Sequence, residues 1–230
     1  NGYIEEKVVE RITGAFSSIE CINGETYNMK EFMVPYFYGT LGILYNVNYV
    51  TVEELEEYGW GVLWNVQENE ELENMILMKD SVRDTYAACL FYMHDYNLFP
   101  EGYEQFNIES GHEYTTDYID SLINCTDDAV LNRAEEILTE QRDHISGYEV
   151  DFGKDDMLNE TVYADFAWSG DALWAIEESY DEETEEYMLD YFVPSTCSNI
   201  WFDGWVMLKQ GLNEDPRKQQ AAEAFINFVS

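Results

Sequence analysis

The sequence predicts an α/β fold, and three observations carry that prediction. Short strand-like apolar runs alternate with helical patterns along most of the chain. The run ending Met75-Ile76-Leu77-Met78 is continuously apolar, as a parallel strand buried on both faces requires. It passes at once into the polar stretch Lys79-Asp80-Ser81-Val82-Arg83-Asp84 and then into an apolar helical pattern reaching His94. Strand, polar loop, helix is the arrangement that sets ligand groups at the carboxyl ends of strands in α/β sheets.

The elements follow in order. Val8 to Phe16 suits helix and loop. Phe32 to Asn46 is rich in β-formers, with glycines at 39 and 42, and predicts a long strand. Thr51-Val52-Glu53-Glu54 is a capping box, opening a short helix that Gly59 ends. Asn74 to Met78 is the buried strand. Residues 99–113 form a Gly- and acid-rich loop, and two helices are expected over about 114–124 and 127–142. A strand over Tyr148 to Phe152 leads to a helical turn at Lys154 to Asn159. A strand over Val162 to Trp168 is expected to turn at Ser169-Gly170-Asp171 into a helix from Ala172 to Glu178. Asp181 to Glu186 is an acidic hairpin or loop. Strands are expected at Tyr187 to Val193 and Phe202 to Leu208, and Pro216 sits at the first position of the last helix.

Composition narrows the function. The 230 residues fit one or two domains with a sizeable core. Aromatics at 16% exclude a disordered chain despite its charge. With 48 Asp+Glu against 11 Lys+Arg the net charge is −37, so nucleic acid and anionic lipid are poor partners. A cationic ligand would be drawn in, although acidity alone also serves solubility. Cys21, Cys89, Cys125 and Cys197 are scattered, which argues against a zinc site and a redox motif; two disulfides are allowed but not required. His94, His112 and His144 have no partner at ligand spacing and suit structural or solvent-facing roles. No stretch has the length of a membrane span, there is no signal peptide, and both ends look cut.

Catalytic signatures are missing: there is no Gly-x-Ser-x-Gly elbow, phosphate loop, dinucleotide fingerprint, zinc-protease motif or calcium loop. Neither a cofactor nor a metal is expected. The triplets at Asn124 and Asn159 match the glycosylation acceptor pattern, which is common by chance. What stands out is Asn199-Ile200-Trp201-Phe202-Asp203-Gly204-Trp205. On an extended backbone Trp201 and Asp203 share a face, so an indole and a carboxylate face one guest. An organic cation satisfies both groups. A core strand with one satisfied acid is the commoner explanation of an isolated Trp-x-Asp. Similar carboxylate-bearing loops follow the strands at Asp80 to Asp84 and Trp168 to Asp171.

Four stretches, in this order, resemble the polyamine (spermidine/putrescine) substrate-binding proteins of bacterial ABC importers. They are Val34-Pro35-Tyr36-Phe37-Tyr38-Gly39-Thr40-Leu41-Gly42-Ile43, Asp80-Ser81-Val82-Arg83-Asp84, Ala167-Trp168-Ser169-Gly170-Asp171-Ala172 and Ile200-Trp201-Phe202-Asp203-Gly204-Trp205. The resemblance runs from about Phe32 onward. It implies a periplasmic-binding-protein-like α/β fold of two lobes joined by hinge-crossing strands: residues 46–198 as a complete second lobe, 1–45 and 199–230 as parts of the first. It implies that Trp168 and Trp201 sandwich the polyamine methylenes, that Asp203 and Asp84 each hold an ammonium, and that Tyr36 and Tyr38 line the cleft. Ser81 stands where some members carry a second acid, so the resemblance to polyamine binders in general is firmer than to spermidine binders.

A binding protein outside the cytoplasmic membrane, lipid- or permease-tethered and not an enzyme, is implied, with ABC permease subunits as partners. An incomplete first lobe would leave a sheet edge open to self-association. The contrasting expectation is a carbohydrate-binding module or carbohydrate-active enzyme using the same Trp platforms.

Overall fold

The computed structural model describes residues 19–20, 25–28, 31–111, 113–212 and 215–229; Val8 to Phe16, Cys21 and His112 lie outside them. The described chain divides into two compact units, one holding the residues up to Tyr38 and from Trp201 onward, the other Gly39–Ile200.

In the first unit, strands β1 (Ile19–Glu20) and β2 (Thr26–Tyr27) pair antiparallel. Strand β3 (Val34–Asn46) contributes its first five residues, all exposed. Near the C-terminus, β10 (Ile200–Trp205) pairs with β3 and stands at the end of the strand order. Among the described residues it has a neighbour on one side only, so the expected open edge is present. The strand starts two residues before the expected Phe202 and stops at Trp205, because the chain turns at Val206–Leu208 into a four-residue helix, Lys209–Leu212. The last helix, Pro216–Val229, begins at the proline, whose fixed φ and missing N–H suit a first helical position.

The second unit is built on a mixed sheet. From Gly39 on, β3 carries β9 (Leu189–Phe192) along one edge and β6 (Ala164–Trp168) along the other, both antiparallel. Beyond β6 come β4 (Ile76–Lys79) and β5 (Gly147–Glu149), all three parallel. Every residue of β4 is buried, as expected of a strand covered on both faces. Alternation sorts the sheet's side chains. Leu41, Ile43, Ile76, Met78 and Phe166 enter a core with Trp60 and Phe91. Leu44, Leu77 and Ala167 enter a second core with Met157, Ala172 and Leu189. Helices therefore cover both faces of the mixed sheet, giving three layers.

On the first face lie helices α1 (Val52–Tyr58), α2 (Val82–Asp95), α3 (Thr116–Ile123) and α4 (Asp128–Gln141). The capping box of α1 is complete: the Glu54 N–H donates to Thr51 Oγ1 at 3.2 Å and the Thr51 N–H donates to Glu54 Oε2 at 2.8 Å. Thr51→Ala is expected to cost about 1 kcal/mol, read as a lower urea midpoint. Val130, Ala134 and Ile137 of α4 are buried at helical spacing. The opposite face carries α5 (Gly153–Leu158) and α6 (Ser169–Glu178). After α6, β7 (Tyr180–Asp181) and β8 (Glu186–Tyr187) pair antiparallel as the acidic hairpin, so the strand expected over Tyr187 to Val193 is divided between β8 and β9.

Several expectations are corrected. Ser169-Gly170-Asp171 is not a turn but the first turn of α6, capped by Trp168 in extended conformation at φ −74° and ψ 138°. The strand expected over Tyr148 to Phe152 is over by Glu149, which turns its carboxylate inward. Residues 99–113 contain two short 3-10 turns, Glu104–Phe106 and Ile108–Ser110. Cys89, Cys125 and Cys197 are buried free thiols, and burial pushes the Cys89 thiol up to about 12, as suits an inert core residue. His94 is structural, buried between the Phe106 carbonyl and the Tyr114 hydroxyl.

Candidate functional site

The parallel strands β5, β4 and β6 end along one side of the sheet, where α2 and α6 begin. Extending the β4–β6 register, in which Ile76 faces Ala164 and Leu77 faces Asp165, sets Asp80 beside Trp168. The Asp80–Asp84 and Trp168–Asp171 stretches therefore leave the sheet as neighbours. This is the strand-end position at which α/β sheets hold ligands.

Ser81 is the N-cap of α2: the Asp84 N–H donates to its Oγ at 3.4 Å. One acceptor site of the hydroxyl is thus used locally, and another remains. Asp84 lies half-buried in the first turn of α2. Its carboxylate makes no ion pair with any described residue. Asp171, by contrast, is committed: Lys154 Nζ lies 2.8 Å from its Oδ1. Trp168 is half-buried against the first core. The backbone beside it is pinned, because the Thr40 N–H donates to Ser169 Oγ at 3.1 Å and the Tyr191 hydroxyl lies 3.4 Å from the Ala167 carbonyl.

In the first unit the expected residues lie on β3 and β10. Alternation puts Trp201, Asp203 and Trp205 on one face of β10. Tyr36 approaches that row, its ring 4.8 Å from Trp205. Tyr36, Tyr38 and Asp203 are exposed, and the Asp203 carboxylate has no ion-pair partner among the described residues. The indole N–H groups of Trp201 and Trp205 are buried without a hydrogen-bond acceptor among the described residues. A Cβ at Gly204 would approach the Val34 carbonyl oxygen to 3.1 Å, a tight backbone contact, and would displace the flexible end of the Met33 side chain.

The structure thus groups the expected residues into two sets, each within its own unit: Ser81, Asp84 and Trp168 in one; Tyr36, Tyr38, Trp201 and Asp203 in the other. Each set offers aromatic surface and one carboxylate free of ion pairs among the described residues. Two residues that sequence reasoning did not select join them. Trp205 follows from the same period-two alternation that picked out Trp201 and Asp203. Lys79, whose ammonium lies 4.9 Å from the centre of the Trp168 ring, carries only a weak local signal, a charge ending an apolar run. A separate cleft of about 540 Å³, lined by Trp64, Glu68, Glu70, Glu73 and His144 among others, contains none of the expected site residues.

No family model matches the chain. Among solved structures it is similar to the spermidine/putrescine ABC transporter substrate-binding protein PotD from Streptococcus pneumoniae, at 26% identity and a TM-score of 0.57, covering 87% of this chain and 48% of that one. A putative spermidine/putrescine ABC transporter from Listeria monocytogenes matches at 26% identity and a TM-score of 0.58, covering 88% and 49%. The binding protein MotA from A. tumefaciens B6, in complex with glucopine, shares the fold alone at 13% identity and a TM-score of 0.53, covering 86% and 50%. The chain spans about half the length of these structures, and its fold is that of part of an ABC-transporter substrate-binding protein.

Proposed function

We propose that this chain is the ligand-binding portion of a polyamine-importer receptor, capturing putrescine or spermidine without chemical change. The observation that carries this reading is the pair of carboxylates, Asp84 and Asp203, each without an ion pair among the described residues, the first at the start of α2 and the second on the same face of β10 as Trp201. In a chain with net charge −37, such groups suit a guest with an ammonium at each end. A charge pair at about 4 Å is worth roughly 4 kcal/mol at an effective dielectric near 20, before desolvation is subtracted. Indole faces shelter methylenes at about 0.8 kcal/mol per buried CH₂. A neutral sugar would use the platforms but leave the acids unexplained.

In this proposal residues 46–198 form the second lobe, and 1–45 with 199–230 belong to the first. Trp168 and Trp201 bracket the methylenes, Asp84 and Asp203 take one ammonium each, and Tyr36, Tyr38 and Ser81 add polar contacts. Similarity to two structures named for spermidine/putrescine transport supports the ligand class. The complete receptor would work outside the cytoplasmic membrane and deliver to ABC permease subunits, with no role for nucleic acid. No helix among the described residues is long and apolar enough to cross a membrane. The open edge at β10 makes self-association of the isolated segment part of the proposal.

Calorimetry on the full-length receptor tests it. Putrescine or spermidine is expected to bind below the millimolar range. Asp84→Asn should weaken binding by about 2 kcal/mol and Trp201→Ala by about 1 kcal/mol or more, with circular dichroism unchanged. Failure of both ligands to bind overturns the reading. Glycan binding that survives Asp84→Asn and Asp203→Asn would replace it with a carbohydrate platform.

A further inference from the structure

Lys79 is a charged side chain at the end of an apolar strand, and it is only 2% exposed. Solubility cannot explain it. Its ammonium is ion-paired directly with Glu149 of β5 and lies 3.8 Å from Asp165 Oδ2 of β6. Glu149 is itself fixed, its second carboxylate oxygen accepting the Gly153 N–H at 2.8 Å. Space for the two acids exists because residue 153 is a glycine: a Cβ there would meet Asp165 Oδ2 at 2.5 Å and Glu149 Cδ at 2.8 Å. A lysine anchored in this way cannot swing out to solvent.

Nζ lies over the Trp168 ring, 4.9 Å from its centre, within the distance at which a cation and an aromatic face attract. One face of the indole is therefore occupied by an ammonium fixed within the fold. A ligand on the other face meets a ring with positive charge behind it. A methylene segment there buries apolar surface without electrostatic penalty, whereas an ammonium faces a like charge across the thickness of one ring. Glu149 and Asp165 contact the ammonium, and it is the ammonium that lies over the ring.

We infer that Lys79 is a specificity-determining positioning residue, which locks the Trp168 indole and reserves its free face for an uncharged methylene run. It would favour linear α,ω-diamines over polyamines that place an inner ammonium at Trp168. The inference rests on the polyamine reading and goes one step further, to which part of the ligand touches which group.

The test uses the full-length receptor and two ligands of equal chain length, 1,8-diaminooctane and spermidine, which differ by one CH₂ replaced with NH₂⁺. In the wild-type receptor the diamine is expected to bind at least about fivefold tighter. In Lys79→Met/Glu149→Gln/Asp165→Asn, which strands no buried charge, that ratio should fall by about fivefold. Equal or tighter spermidine binding to the wild type overturns the inference even where the triple variant does not fold. An unchanged ratio in a folded triple variant overturns it as well. In either case the polyamine reading survives, because both ligands bind. Absence of binding by both to a wild type that still binds putrescine overturns the role of Lys79 alone; absence of binding by putrescine as well sinks the polyamine reading, and the role of Lys79 with it.

Discussion

Gly42→Ala is expected to destabilise the Gly39–Ile200 unit by about 3 kcal/mol, through a single added methyl group. A Cβ at residue 42 would lie 2.6 Å from the Phe192 carbonyl oxygen and 2.6 Å from both Cζ and Oη of Tyr191. The requirement is closeness of approach rather than backbone conformation. The Tyr191 ring crosses β3 at this point, and its hydroxyl lies 3.2 Å from the Thr40 carbonyl and 3.4 Å from the Ala167 carbonyl. Moving the ring aside to admit the methyl would surrender those hydrogen bonds, and the backbone contact with Phe192 cannot be relieved by a rotamer change. Overpacking of this kind costs about 1–3 kcal/mol and each lost hydrogen bond about 1 more. Because Ala167 adjoins Trp168, the variant should also weaken polyamine binding wherever it remains folded. Urea unfolding measures the stability, and a midpoint within error of the wild type would show that the sheet absorbs the methyl group.

Gly42 also marks the boundary of what could be read from the residues. Its place in a strand-forming stretch was legible, but the ring that crosses it comes from Tyr191, far along the chain. Local signals succeeded where the cause was local. The capping box at Thr51, the buried run at Ile76–Met78 and the proline opening the last helix each contain their own physical reason within a few residues. The Ser-Gly-Asp stretch after Trp168 looked like a turn, since all three residues favour turns in isolation. Packing decided otherwise: Ala172 and Ala175 bury against the sheet and carry the helix back to Ser169. The candidate site was legible as motifs, because indoles and carboxylates at strand ends keep their spacing. The support behind Trp168 was not. Lys79 is separated by 70 positions from Glu149, and only the parallel pairing of β4 with β5 brings them together.

The same buried cluster should make stability fall as pH rises from about 4 to about 7. Asp165 is 1% exposed, and burial pushes its carboxyl up to about 7. The Lys79 ammonium pulls it down and Glu149 pushes it up further. Its Oδ1 has no hydrogen-bond partner among the described residues, so ionisation gains little locally. With the folded value raised above the ordinary 3.8, the folded chain holds a proton that the unfolded chain has already released throughout this window. Stability is therefore fullest at the acid end, declines as pH climbs, and levels off above about 7. The size is on the order of 3 to 4 kcal/mol across the window, from about 1.4 kcal/mol per pH unit. Asp95, which burial pushes up to about 6, adds a smaller contribution of the same sign. General repulsion in a chain of net charge −37 also favours acid, so the wild-type slope alone cannot identify its source. Asp165→Asn separates the two, since it removes the local titration and leaves the surface charge almost untouched. Urea unfolding at intervals from pH 4.5 to 7.5 should give a slope in the variant lower by most of the predicted amount. Parallel curves for the two proteins would mean that Asp165 ionises as readily in the folded chain as in the unfolded one. The acid behind Trp168 would then be a full negative charge, and the positive charge that Lys79 presents to the indole would be correspondingly weakened.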